Sequence, residues 1–278
     1  MKLSVTLFAT DRTLRPDVVA REAEARGFHA LYLPEHTHIP VSRLTPAPTG
    51  EDELPERYTR TLDPWVALAV AAAATTELRL GTGVALVAQH DPIVLAKQVA
   101  TLDHLSGGRV VLGAGFGWNR EEAEDHGVAW STRRSLVREK ILAMQRLWAD
   151  EEAMFSGSLV SIQRSWSWPK PLARRVPVLL GGAAGPTIFR HVAEYADGWM
   201  PIGGAGLSSA LPALREAWAA AGRDPATLQV VTFATIPEPA KLAHYRTLGV
   251  SEVVAQLPGH DGASLTRALD RYAAMIRN

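Results

Sequence analysis

Residues 109–122, RVVLGAGFGWNREE, change character within a few positions. Val110, Val111 and Leu112 are apolar in the manner of a strand buried on both faces. Glycine then recurs at 113, 115 and 117, removing side-chain bulk where the strand ends. Backbone N–H groups there can approach a flat or anionic ligand, although a tight βα turn needs glycine too. Trp118, Asn119 and Arg120 follow with an indole, an amide and a guanidinium. Two further stretches run out the same way: Ala30–Leu33 into Pro34-Glu35-His36, and Val178–Leu180 into Gly181-Gly182. Glu35, His36 and His38 offer metal ligands, but no second ligand cluster sits at another strand end, so no metal is expected. A serine triad is not expected either, because no Gly-x-Ser-x-Gly elbow occurs.

Composition narrows the field further. Of 278 residues, 29 are basic and 29 acidic, with no basic block of the kind that tracks a phosphate backbone or an anionic membrane. Nucleic acid and membrane are therefore not expected as partners. Cysteine is absent, which removes disulfides, thiolate metal sites and a cysteine nucleophile. The start, Met1-Lys2 and a short apolar run ending before Asp11-Arg12, lacks the features of a signal peptide, so a cytoplasmic protein is expected. Eight tryptophans suggest that some line a pocket or an interface.

The elements that would position these residues alternate from end to end. Strands are expected at Lys2–Ala9, Ala30–Leu33, Leu78–Leu86, Val110–Leu112, Val178–Leu180, Gly198–Ile202, Leu228–Thr235 and Glu252–Leu257. Helices are expected between them, two of them opened by Asp-Pro at 63–64 and 91–92, an N-cap followed by proline at N1. Eight strand–helix pairs, with no linker, read as one domain over 1–278, an α/β (β/α)8 TIM barrel with insertions after strands 2 and 4. An open Rossmann sheet would want Gly-x-Gly-x-x-Gly after the first strand, where Phe8-Ala9-Thr10-Asp11 holds no glycine. In a barrel the strand ends share one mouth, here floored by backbone and apolar rings, which suits a flat aromatic cofactor.

Four segments carry a resemblance: Gly27–Tyr32 leading into Pro34-Glu35-His36; Leu78–Val84; Leu105–Arg109 through Gly117-Trp118-Asn119; and Pro177–Ala183 with Ala196–Trp199. Over nearly the whole chain the sequence resembles the bacterial-luciferase-like superfamily, and within it the coenzyme F420-dependent oxidoreductases. The resemblance implies a ring packed against Gly83 and Val84, where the family has a bulged, non-proline cis peptide. It implies a phosphate loop at Gly181, Gly182 and Ala183, with Thr187 on the next helix. Glycine N–H groups at a helix N-terminus form an anion site, and a tight turn would look alike. Arg120 and Arg190 are the candidates to meet further carboxylates at the mouth. The resemblance makes His36 the catalytic histidine and Glu35 its acidic neighbour, which would raise or orient it; an imidazole titrating near neutrality carries a substrate proton. Asn119 matches a cofactor- or substrate-binding position. His38, His90 and His104 read as surface residues. Phe116 and Ile39-Pro40 depart from the sugar-phosphate branch.

Residues 37–61, with Pro40, Pro46, Pro48 and Pro55, exceed an ordinary βα loop and are expected to form a lid. In the insertion at 151–176, Phe155–Ile162 reads as a hairpin, while Trp166 and Trp168 fit a pocket edge, a dimer contact or packing. The function expected is F420-dependent hydride transfer to or from a small-molecule substrate, by a homodimer. An FMN-dependent luciferase-like monooxygenase is the alternative, and a non-catalytic flavin- or deazaflavin-binding barrel a third reading.

Overall fold

Strand residues with β-branched or large apolar side chains on both faces need cover on both faces, and the chain supplies it by closing the sheet. The computed structural model describes residues 1–46, 53–259 and 261–276. Its strands are β1 (Lys2–Thr6), β2 (Ala30–Leu33), β3 (Arg79–Thr82), β4 (Val110–Ala114), β5 (Ala153–Ser156), β6 (Ser161–Ser165), β7 (Val178–Gly181), β8 (Gly198–Met200), β9 (Gln229–Thr235) and β10 (Glu252–Gln256). Its helices are α1 (Pro16–Ala25), α2 (Pro64–Ala73), α3 (Pro92–Ser106), α4 (Arg120–Asp125), α5 (Arg133–Ala149), α6 (Pro186–Tyr195), α7 (Leu207–Ala220), α8 (Pro239–Leu248) and α9 (Gly262–Ala273). Eight strands form a closed parallel barrel in the order β1-β10-β9-β8-β7-β4-β3-β2, and β5 and β6 form a separate antiparallel hairpin. The fold is thus the α/β (β/α)8 barrel expected from the sequence. In a ring with that order β1 stands opposite β7, and β10 opposite β4.

Alternation along each strand divides the core into two layers. Leu31, Leu80 and Leu112 face the helices, while Tyr32, Val111, Leu179 and Met200 fill the barrel interior. Each fully buried aliphatic side chain contributes about 1.5–3 kcal/mol. Asp63 and Asp91 cap α2 and α3 as their spacing predicts, accepting from Val66 N at 2.8 Å and from Ile93 and Val94 N at 2.9 Å. One strand boundary differs most from the expectation. The strand expected over 78–86 stops at Thr82, where the cis Gly83–Val84 peptide turns the chain. Helix α2 stops at Ala73 because the Arg109 guanidinium takes the carbonyls of Ala72, Thr75 and Leu78 at 2.8–3.0 Å. Helix α5 begins at Arg133, and α7 begins at Leu207 with Pro212 inside it. Among the described residues no helix is long and apolar enough to cross a membrane.

Candidate active site

The C-terminal strand ends surround a cavity of about 1210 Å³. Its floor is built from Gly83, Val84, Gly115, Gly181, Met200 and Phe233. The Gly83–Val84 peptide is cis, as the resemblance implied. Side-chain bulk around Val84 is restricted: a Cβ on Gly115 would lie 2.4 Å from Val84 Cγ2, and one on Gly181 a tight 3.0 Å from Val84 Cγ1. The bare backbone at these ends therefore lets an apolar side chain rise at the centre of the mouth. Gly182 adopts φ +155° and its carbonyl accepts from Trp199 Nε1 at 2.9 Å, which fixes the turn into α6. Gly181 and Gly182 line the cavity; Ala183 and Thr187 are exposed and lie outside its lining.

His36 lines the same cavity, and its partner is not its neighbour Glu35. Successive residues leaving a strand point to opposite sides. His36 Nδ1 meets Glu122 Oε2 at 2.9 Å, both side chains buried, with Glu122 carried on α4. Trp118 Nε1 lies 3.3 Å from His36 Nε2. An indole N–H can only donate, so Nε2 is the accepting nitrogen and Nδ1 carries the proton toward the carboxylate. Tyr58 packs beside His36 and Trp118, with ring centroids 5.3 and 5.9 Å away, and walls this corner with aromatic rings. Glu122 was not singled out from the sequence; the signal available was an acid three residues after an N-capping Asn at a strand end.

Glu35 works on the scaffold instead. Its Oε2 accepts from Leu86 N at 2.6 Å and its Oε1 meets His90 Nε2 at 2.9 Å, holding the segment that follows the cis peptide. Burial pulls the His90 imidazole down, but the hydrogen bond and charge of Glu35 outweigh it and leave its pKa above the ordinary 6.5. His90 is thus a half-buried partner of Glu35 rather than the surface residue its sequence context suggests. Asn119 is also indirect: it caps α4, accepting from Glu122 N at 3.3 Å, and lies outside the cavity lining. It positions the helix that carries Glu122.

The cations at the mouth differ from those the sequence suggested. Arg120 is exposed and paired with Glu124 at 2.7 Å, and Arg190 is exposed on α6 outside the lining. The first turn of α5 brings Arg133 and Arg134 to the cavity in their place. Arg134 stands 5.2 Å over the ring of Phe116, and Phe116 faces Gly182. Arg133 stacks on Trp130 at 3.6 Å, and its buried Nε has no partner. Burial first, and then the adjacent Arg134, hold the Arg133 pKa below the usual 12.5. Two adjacent guanidinium groups without an acidic partner among the described residues call for an anion.

Of the segment 37–61 expected as a lid, residues 47–52 lie outside the described residues. The described part docks on α4: Glu121 accepts from Leu44 N at 2.6 Å and Thr45 N at 3.1 Å, and Thr37 meets His126 at 2.7 Å. The turn Glu56–Arg60 then places Arg57 and Tyr58 in the cavity wall. Trp166 and Trp168 lie away from the cavity and are exposed.

Fold and mouth together define a TIM-barrel protein with its site at the C-terminal strand ends. The profile of the luciferase-like monooxygenase family matches residues 17–237, and the chain belongs to that family. An uncharacterised protein of Mycobacterium tuberculosis is 46% identical over 279 residues, covering 99% of both chains. A phthiodiolone/phenolphthiodiolone dimycocerosates ketoreductase of Mycobacterium kansasii is 30% identical over 227 residues, 77% of this chain and 62% of that one. Among solved structures, monooxygenase RslO1 from Streptomyces bottropensis superposes with a TM-score of 0.79 at 20% identity, covering 99% of this chain and 98% of that one. An F420-dependent secondary alcohol dehydrogenase in complex with an F420–acetone adduct also gives 0.79, at 18% identity, covering 100% and 99%. At these identities the two structures share the fold.

Proposed function

We propose that the chain is a coenzyme F420-dependent oxidoreductase acting on the carbonyl or hydroxyl carbon of a small organic molecule. The observation that carries the cofactor is the pair Arg133 and Arg134, open in charge and set beside Gly182 and Phe116. The anionic tail of F420 would meet these two arginines, its phosphate the backbone of Gly181 and Gly182, and its ring the floor at Gly83 and Val84. When bound, a deazaflavin supplies a carbon that takes up or releases hydride and activates oxygen poorly.

His36 supplies the matching proton. Once a substrate hydroxyl displaces the long 3.3 Å contact from Trp118 Nε1, His36 Nε2 takes the proton from that hydroxyl on oxidation and returns it to a carbonyl oxygen on reduction. Glu122 stabilises the cationic ring and fixes the tautomer that leaves Nε2 facing the cavity. Tyr58 and Trp118 exclude water around it. Support for a carbonyl or alcohol substrate comes from the ketoreductase relative and the secondary alcohol dehydrogenase neighbour.

Membership of the luciferase-like monooxygenase family supports a second reading, an FMN-dependent monooxygenase. Fluorescence titration of the protein with F420 and then FMN separates the two. Submicromolar F420 binding that weakens roughly a hundredfold or more in Arg133→Ala/Arg134→Ala is expected, since each charge-assisted hydrogen bond contributes about 1.5–3 kcal/mol. Tight FMN binding without F420 binding overturns it. The same reading takes the protein as a homodimer, supported by exposed Met154, Trp166, Trp168 and Leu172 in the insertion; sedimentation at a monomer's mass overturns that part.

A further inference from the structure

A chain with balanced charge places its cavity in a strongly cationic wall. Arginines line the mouth on several sides, whereas the acids in the lining are Glu35 and Glu56. Glu35 is engaged with Leu86 and His90, and Glu56 with Arg12 at 2.6 Å. Arg60 is likewise neutralised, by Asp11 at 2.7 Å. Beyond the pair beside Gly182, three arginines remain: Arg57, Arg267 and Arg271. None has an acidic partner within ion-pair distance among the described residues.

Among the described residues the contacts of Arg57 and Arg271 are with uncharged groups. Arg57 sits 5.5 Å over the Phe8 ring and 5.6 Å over that of Tyr58, whose ring centroid is 5.3 Å from that of His36. Arg271 donates to the Tyr272 hydroxyl at 3.1 Å, and that hydroxyl donates to Gln256 O at 3.3 Å, tying the guanidinium to the end of β10. Arg267 lies one helical turn before Arg271 on α9. Like charges four residues apart destabilise a helix slightly, and Asp270, the acid between them on α9, is paired with Arg26 at 2.8 Å. Asp261, which feels the charge of Arg267, is occupied in capping the helix through Ala263 and Ser264 N. Phe8 follows β1 and α9 follows β10, so this cluster stands across the barrel from Gly182 and Phe116, which follow β7 and β4.

We propose that Arg57, Arg267 and Arg271 form a second anion subsite, which holds a carboxylate or phosphate of the substrate while its carbonyl or hydroxyl carbon lies toward His36. This rests on the cofactor occupying the Gly182 side and assigns a substrate class to the proposed activity: an anionic carbonyl compound or the corresponding alcohol. Guanidinium groups suit both anions, because their planar donors match carboxylate and phosphate oxygens. An open cationic wall also concentrates such substrates at the mouth.

The test uses calorimetric titration of inorganic phosphate into F420-saturated protein, and into the triple variant Arg57→Ala/Arg267→Ala/Arg271→Ala. The side chains of Arg267 and Arg271 are exposed, and circular dichroism checks that the variant is folded. Phosphate affinity is expected to fall roughly tenfold or more in the variant, with F420 affinity within about twofold of the parent. Unchanged phosphate affinity, no phosphate binding to the parent, or collapse of F420 affinity in the triple variant each overturn the proposal. Without cofactor, in an Arg133→Ala/Arg134→Ala background, the same titration reads the subsite by itself. Failure of F420 to bind therefore sinks the cofactor assignment and leaves this one to stand or fall on phosphate. A paired substrate test completes it. Oxidation of reduced F420 by 4-oxopentanoate should exceed that by 2-pentanone roughly tenfold in kcat/KM, and equal rates overturn the anionic class.

Discussion

Glu122→Gln isolates what the buried carboxylate does for His36. The amide keeps nearly the same shape, and its oxygen can still accept from Nδ1–H across the 2.9 Å gap. What it loses is negative charge facing the imidazole when Nε2 takes up a proton. A hydrogen bond to a charged partner exceeds a neutral one by about 1–2 kcal/mol, which converts to roughly a 5- to 30-fold fall in turnover. Cofactor affinity and KM should hold, because Glu122 lies outside the cavity lining. Two measurements check this: kinetics of reduced-F420 oxidation with the best carbonyl substrate, and nitrogen-15 spectra of the His36 ring. The spectra should show Nδ1 protonated in the parent and in Glu122→Gln. Glu122→Ala should lose that preference, since it leaves a buried N–H without an acceptor at a cost of about 1–3 kcal/mol. A parent ring protonated on Nε2, or full turnover in Glu122→Gln, would refute the assigned role.

Other consequences follow from the same structure. Gly115→Ala should push Val84 by about 1 Å, because the new Cβ would start 2.4 Å from Val84 Cγ2; a drop of roughly tenfold or more in F420 affinity by fluorescence is expected, and unchanged affinity would place the ring elsewhere. Arg109→Ala strips hydrogen bonds from the carbonyls of Ala72, Thr75, Leu78 and Ser106. The chain should lose about 3 kcal/mol or more in urea unfolding, with cofactor affinity preserved in the folded fraction. Hydrogen bonds from the Thr45 hydroxyl and Leu44 N hold the Glu121 carboxyl at about 2, below its ordinary 4.5. A depressed carboxylate stabilises the docked segment fully above that ordinary value and loses hold as pH falls from 4.5 through about 2. Hydrogen exchange at Leu44 and Thr45 should therefore gain relative to the barrel strands over that window, and a constant ratio would show that Glu121 does not pin the segment.

Much of the framework was legible in the sequence because it depends on local patterns. Apolar runs at strand spacing, Asp-Pro helix starts and eight repeats of the pair dictate a closed barrel, and strand-end glycines mark where its mouth must be bare. The place of His36 at the mouth was legible for the same reason, three residues past the end of β2, while its role rested on the resemblance. The glycines at 83, 181 and 182 with Val84 do line one cavity.

Which groups meet there was decided by closure of the ring. Glu122, 86 positions away, reaches His36, while the adjacent Glu35 turns to Leu86 and His90, because neighbours on an extended chain face opposite ways. Asn119 became a cap for α4, Ala183 and Thr187 fell outside the lining, and Arg120 was taken by Glu124 one turn along its own helix. The arginines left open come from α5, α9 and the turn after β2, brought to one rim only by the ring order that sets β1 and β10 across from β7 and β4. Local spacing determines where a side chain can start; long-range strand pairing determines what it faces.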